Sequence, residues 1–321
     1  MDNKVLKLGT RGSALALAQA SLAKEAIEKK CPEYSVEICI VKTSGDKDRV
    51  RSLVSLGGTG IFVKELEELL LEGNIDFAVH SLKDVPVEMD PRLSLVSFLP
   101  RALPYDVLVS GGVKFADLPQ GAKIGTGSPR RVLQLKNIRK DIQCVDLRGN
   151  LGTRIDKVKN GELDAIMLGG AGLVRLGLQE NISEEFSPGV LTPAIGQGIV
   201  GLQCVDANEN VREVLSKVCD ADAAFAARTE RAWMKFLGGG CRVPMAAFLE
   251  KKNSGFDFYA YLAEPSGKAF YRAVEHFETG VSEADIMGAF GEKFIAECSA
   301  RNIPLPRDVD EHALLDFWGK I

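Results

Sequence analysis

The chain has 321 residues, long for a single hydrophobic core, so two or three domains are expected. Its 45% hydrophobic and 26% charged residues exclude a disordered chain, and a formal net charge of -4 gives no basic footprint for nucleic acid. No apolar run reaches bilayer length, and the first stretch lacks a secretory pattern. Seven scattered cysteines with no Cys-x-x-Cys spacing argue against a disulfide framework or a zinc site and for a reducing cytoplasm. Three widely separated histidines offer no His-built metal centre.

Residues 4–9 read as a short strand and 13–30 as an Ala- and Leu-rich helix ended by Cys31-Pro32. Residues 34–41 alternate like a strand, 61–71 form an amphipathic helix, and 75–80 are a buried strand. Such alternation predicts a mostly parallel sheet covered on both faces. The polar stretch 43–60, with Gly57-Gly58-Thr59-Gly60, is either a mobile lid or a solvated connection.

Leu99-Pro100 and Leu103-Pro104 mark a change of domain. Strands follow at 106–110, 122–125, 142–147 and 164–168, with helices from Ser128 and over 150–160. Gly9-Thr10-Arg11-Gly12-Ser13 and Gly125-Thr126-Gly127-Ser128-Pro129 both open a helix at a serine N-cap, so two similar doubly wound α/β lobes are expected. This is also the plan of periplasmic binding proteins. Residues 191–198 read as the return crossing and 199–204 as a strand rejoining the first lobe. After a helix over 221–237, strands at 244–251, 256–263 and 268–277 and a helix over 283–298 give a smaller α+β domain with an antiparallel sheet. The expected division is 1–99 with 195–218, then 100–194, then 219–321.

Cys241 stands in Gly238-Gly239-Gly240-Cys241-Arg242-Val243-Pro244, just past the 221–237 helix. Consecutive glycines suit positive φ or close approach of another group to the backbone. A thiol beyond a helix C-terminus gets no activation from the dipole. Cys241 is therefore read as an attachment point, against the plainer reading of a small buried side chain. Ser128-Pro129-Arg130-Arg131 puts two arginines in a first helical turn, where the dipole is already positive, so a bound anion would compensate them unless both are simply solvated. Arg11, Arg148, Arg154 and Arg175 occupy similar turns near strand ends, and together they suggest a cleft for a polyanion rich in carboxylate or phosphate. In His80-Ser81-Leu82-Lys83-Asp84-Val85-Pro86, His80 reads as a satisfied core imidazole. Asp84 is either an Asx-turn residue or a carboxylate kept ionised by cations and able to steady a passing positive charge.

Together these stretches resemble the porphobilinogen deaminase family. The matching residues are Thr10-Arg11, Gly60-Ile61-Phe62-Val63-Lys64-Glu65-Leu66-Glu67, His80 to Pro86, Arg130-Arg131, Leu147-Arg148-Gly149-Asn150 and Gly152-Thr153-Arg154. They continue with Ala171-Gly172-Leu173, Arg175-Leu176-Gly177-Leu178, Pro193 to Gly198, and Gly239-Gly240-Cys241 with Val243-Pro244. The resemblance runs from residue 4 to about 250.

It implies a three-domain, monomeric, cytoplasmic enzyme that joins four porphobilinogens head to tail, releasing ammonia and hydroxymethylbilane. The primer it implies is a dipyrromethane held by a thioether on Cys241, with Asp84 as the catalytic carboxylate. Lys83, Asp84, Ser128, Arg130, Arg131, Arg148 and Gly172 match cofactor-side positions, and Arg11, Arg148, Arg154, Arg175 and Gln197 match substrate-side ones. Thr59 and Arg242 depart from the lysine and glutamine of some relatives, which implies altered loop behaviour. The rival readings are a non-catalytic anion-binding protein of the solute-binding type and a cysteine hydrolase, for which no histidine base can be assigned.

Overall fold

The computed structural model describes residues 4–41, 61–239 and 244–309. The stretch 43–60, with Thr59, and the pair Cys241 and Arg242 lie outside the described residues. The chain divides into two compact units, residues 1–102 with 198–227 and residues 103–197 with 228–321.

In the first unit β1 (Lys4–Arg11) pairs in parallel with β2 (Tyr34–Val41) and with β3 (Phe77–Ser81). The returning strand β10 (Val200–Val205) runs antiparallel to β3 and to β4 (Leu93–Leu99), so the order is β2-β1-β3-β10-β4. Helix α1 (Ala14–Lys30) starts where Ser13 Oγ accepts the Ala16 N–H at 3.3 Å, and it buries Ala20, Ala23 and Ile27. Those side chains join Leu6, Leu8, Phe77, Leu202 and Cys204 in one core. Helix α2 (Ile61–Leu71) contributes Leu66 and Leu70 to a second core with Ile75 and Ala78. Central strands buried on both faces are continuously apolar, which is why 75–80 was legible.

The second unit repeats the plan. Strands β5 (Asp106–Val109), β6 (Lys123–Gly125), β7 (Gln143–Val145), β8 (Ala165–Gly169) and β9 (Glu184–Glu185) lie in the order β7-β6-β8-β5-β9. Here β6 pairs in parallel with β7 and β8, while β5 is antiparallel to β8 and β9. Helices α3 (Pro129–Ile138), α4 (Leu151–Lys159) and α5 (Gly170–Arg175) follow β6, β7 and β8 in turn. In each sheet the antiparallel fourth strand is the one reached by a crossing segment, β5 after residues 100–105 and β10 after residue 199.

After α6 (Glu209–Ser216) and α7 (Ala221–Phe236), strands β11 (Met245–Lys252), β12 (Gly255–Ala263) and β13 (Phe270–Glu278) form an antiparallel sheet. Helix α8 (Glu283–Ala300), opened by a reciprocal Ser282–Asp285 capping box, covers it. Trp233 is fully buried against Phe258, Phe290 and Phe294 with ring centroids 5.0 to 5.4 Å apart. The expected class, two doubly wound α/β lobes plus a smaller antiparallel α+β part, is the observed one. Among the described residues, four of these elements were not anticipated: β4, whose apolar run is broken by Ser94 and Ser97, the two-residue β9, the Asn208-capped α6, and α5 in place of a glycine turn.

Candidate active site

In the first unit the sheet delivers Arg11 at the end of β1 and Lys83 and Asp84 in a short helical turn, Leu82–Asp84, directly after β3. That turn is fastened twice. Leu82 N–H donates to the Ile199 carbonyl at 3.0 Å, and the buried Gln19 of α1 donates from Nε2 to Ser81 Oγ at 2.8 Å. Lys83 is exposed and Asp84 half-buried. Burial pushes the Asp84 carboxyl up by more than Lys83 and Arg11 pull it down, so it lies above its ordinary value. The low pKa expected from cationic neighbours is therefore not what the protein alone produces, because desolvation is the larger effect.

His80 is buried, with Nε2 2.9 Å from Gln203 Oε1, and burial holds its pKa down at about 4. Gln203 Nε2 donates to Glu67 Oε1 at 2.8 Å, which leaves Oε1 as the acceptor and makes His80 the donor through Nε2–H. The imidazole is neutral near pH 7 and structurally satisfied, as read from the sequence.

The arginines of the second unit are more deeply built in than two solvated side chains. Arg130 and Arg131 are buried and share the fully buried Asp106, with Nη1 of Arg130 2.6 Å from Oδ2 and Nη2 of Arg131 2.7 Å from Oδ1. Burial alone would raise the Asp106 carboxyl, but the two guanidinia outweigh it and hold it well below the usual carboxylate range. Gln197, also buried, donates from Nε2 to Asp106 at 3.0 Å and to the Pro104 carbonyl at 2.6 Å, and its Oε1 accepts from Arg131 at 3.3 Å. The anion anticipated beside this pair is thus partly supplied by the chain itself.

Arg148 pairs with Asp146 at 2.9 Å, and Arg154 Nε donates to the Gly149 carbonyl at 2.7 Å. Arg154 is lowered by burial and then by the like charges of Arg131 and Arg148, which brings three of the expected arginines into one electrostatic group. Burial lowers Arg175, at the end of α5, to about 10, and Gly172 is half-buried in the same helix. Ser128 and Asn150 occupy the N-cap positions of α3 and α4 without a side-chain cap hydrogen bond, whereas Ser13, Asn208 and Ser282 all cap their helices. Two helix N-termini beside the arginines therefore keep backbone donors for another acceptor.

Before Cys241, Gly238 (φ 71°) and Gly239 close α7: their N–H groups donate to the carbonyls of Lys235 at 3.0 Å and Met234 at 2.9 Å, a Schellman ending. A Cβ on Gly238 would lie 2.5 Å from Arg307 Cβ, and one on Gly239 would collide with Met245 Sδ. Those two glycines answer to positive φ and close packing. Asp106, Gln134, Thr192 and Gln19 were not legible as site residues in the sequence. The one available signal was an acidic residue opening the otherwise apolar strand Asp106–Val109.

Residues 6–213 match the family model described as porphobilinogen deaminase, dipyromethane cofactor binding domain. A porphobilinogen deaminase of Citrifermentans bemidjiense is 41% identical over 316 residues, covering 96% of this chain and 99% of that one. One of Sorangium cellulosum is 44% identical over 287 residues, covering 88% and 96%. Among solved structures, the methionine-binding protein MetQ aligns over 72% of this chain and 96% of its own, with 14% identity and a TM-score of 0.42. On the family model and the near full-length identity to curated relatives, the chain belongs to the porphobilinogen deaminase family.

Proposed function

We propose that Arg130, Arg131, Arg148 and Arg154 hold carboxylates of porphobilinogen units and of the dipyrromethane, with Arg11, Arg175 and Lys83 completing the set, and that Asp84 steadies positive charge on the substrate. The chain is a transferase, hydroxymethylbilane synthase (EC 2.5.1.61), which condenses porphobilinogen in tetrapyrrole biosynthesis with a dipyrromethane cofactor. The residues present suit such a group, since each pyrrole carries an acetate and a propionate and the second unit concentrates guanidinia beside two uncapped helix N-termini. When bound, the dipyrromethane supplies the pyrrole carbon that accepts the first substrate unit. We assign its thioether to Cys241, which lies outside the described residues.

The observation that carries the reading is the convergence of the Arg131 and Arg148 charges on the half-buried Arg154 guanidinium. Asp106 and Asp146 reduce the positive charge there, and a bidentate carboxylate would relieve the remainder. Asp84 has a different task. When the substrate's C–N bond breaks, ammonia leaves with the bonding pair and the pyrrole nitrogen takes up positive charge. A fixed carboxylate stabilises that charge, and the same charge returns when the next ring attacks and later loses its proton.

Replacing Arg130 or Arg148 by leucine should reduce the fraction of chains carrying the cofactor mass or block early elongation. Lysine should recover only part, because it lacks the planar fork. Intact mass spectrometry reads both, and normal loading with normal turnover in the leucine variants would overturn the assignment. We further propose a cytoplasmic monomer, which sedimentation equilibrium tests directly; a stable dimer at micromolar concentration would contradict it. The six described cysteines are free thiols, in keeping with a reducing compartment, and no described helix is long and apolar enough to cross a membrane.

A further inference from the structure

Arg272, on β13, belongs to none of the sets above, yet it is tied to them. Its Nη1 donates to the Gly189 carbonyl at 2.9 Å, its Nη2 donates to Gln134 Oε1 at 2.7 Å, and its guanidinium carbon lies 5.4 Å from the centre of the Tyr261 ring. All three partners are neutral, and Nε is buried without a hydrogen bond. Removing a guanidinium from water without a carboxylate beside it is unfavourable, and burial lowers its pKa accordingly. What distinguishes the residue here is its reach to two acceptors at once.

The second acceptor leads into the arginine pair. Gln134 is fully buried on α3; its Oε1 also accepts from Thr192 N–H at 2.8 Å, and its Nε2 donates to the Thr192 carbonyl at 3.0 Å. That carbonyl accepts Arg130 Nη1 at 2.6 Å, the nitrogen that also bonds Asp106 at 2.6 Å. Arg272 therefore holds both ends of the 189–192 segment whose last carbonyl fixes Arg130. Apolar packing runs alongside, where Leu133 of α3 meets Ala246, Tyr261 and Ala263 of the C-terminal sheet. Since β11 begins four residues after Cys241, the sheet that follows the attachment loop and the helix that carries Arg130 share one clamp.

We propose that Arg272 is a positioning residue for Arg130, acting through Gln134 and Thr192 to set the guanidinium that receives a pyrrole carboxylate. The proposal rests on the reading that Arg130 binds such a carboxylate. Because Arg130 stands on the cofactor side, loss of Arg272 should lower the fraction of chains carrying the dipyrromethane, and in the loaded chains it should weaken ground-state and transition-state binding equally, so KM should rise while kcat changes little.

The test uses full-length Arg272→Gln, Arg272→Lys, Gln134→Ala and Arg272→Gln/Gln134→Ala, with Arg130→Leu as the control. Melting temperature, the fraction of chains carrying the dipyrromethane mass, and KM and kcat for porphobilinogen are measured on each. Arg272→Gln should raise KM about tenfold, the effect of one charged hydrogen bond. Lysine should recover only part, and the double variant should be no worse than the poorer single one. A lowered melting temperature with KM and loading unchanged would reduce Arg272 to a packing residue, and additive KM effects would break the chain through Gln134. If Arg272→Gln does not fold, the lysine variant carries the test: a KM equal to that of the parent protein overturns the proposal. An Arg130→Leu control with normal KM and loading removes the underlying carboxylate reading, whereas an impaired control beside a normal Arg272→Gln removes this inference alone.

Discussion

Asp84 and Asp106 both sit at strand boundaries, and their surroundings give them opposite characters. Asp106 is enclosed by two guanidinia that keep it charged, while among the described residues Lys83 and Arg11 lower Asp84 by less than burial raises it. A carboxylate of the second kind loses its charge at a higher pH than an ordinary aspartate, so the acid limb of turnover should lie above that of a solvated carboxylate, with activity falling as the pH falls. Asp84→Asn keeps size and turn-forming ability but removes the charge. It should fold, retain the cofactor mass and lose about a hundredfold in kcat, on the order of 3 kcal/mol, while Asp84→Glu should be slow but active. An unfolded asparagine variant, or one turning over within a few-fold of the parent protein, would end the charge-stabilising role. Asp84 was legible because it stands in a recognisable turn. Asp106 was not, because its partners are 24 and 25 residues away and its own neighbours read only as a strand.

At the scale of elements, the β3–β10 pair holds an acid-sensitive contact of the first unit. His80 on β3 is neutral and bonded to Gln203 on β10, with a pKa lowered from 6.5 to about 4. Between those values the unfolded chain binds a proton that the folded chain does not, so stability is full above about pH 6.5 and is lost as the pH falls toward 4. Between pH 6.5 and pH 5 the loss from this group is about 2 kcal/mol. Urea unfolding at the two pH values should show a smaller acid loss for His80→Asn than for the parent chain; an equal loss would place the sensitivity elsewhere. The strands of this pair were legible as apolar runs. The edge strand β4 was not, since its interrupting serines and partial exposure imitate a loop. The end of α7 was legible because Gly238 is where a left-handed residue is required.

Across the whole molecule, the repeated glycine turns at residues 9–13 and 125–129 signalled two sheets of one design, and the sheets have the same strand order with an antiparallel fourth strand. A crossing strand completes each sheet, and only tertiary pairing reveals which strand that is. The assignment of Cys241 rests on its glycine loop and on family membership. Intact mass spectrometry of the purified full chain beside Cys241→Ala tests it most directly. The parent protein should exceed its sequence mass by two porphobilinogens less two ammonia, and Cys241→Ala should lose that increment. An increment that persists in Cys241→Ala, or maps to another cysteine, would contradict it.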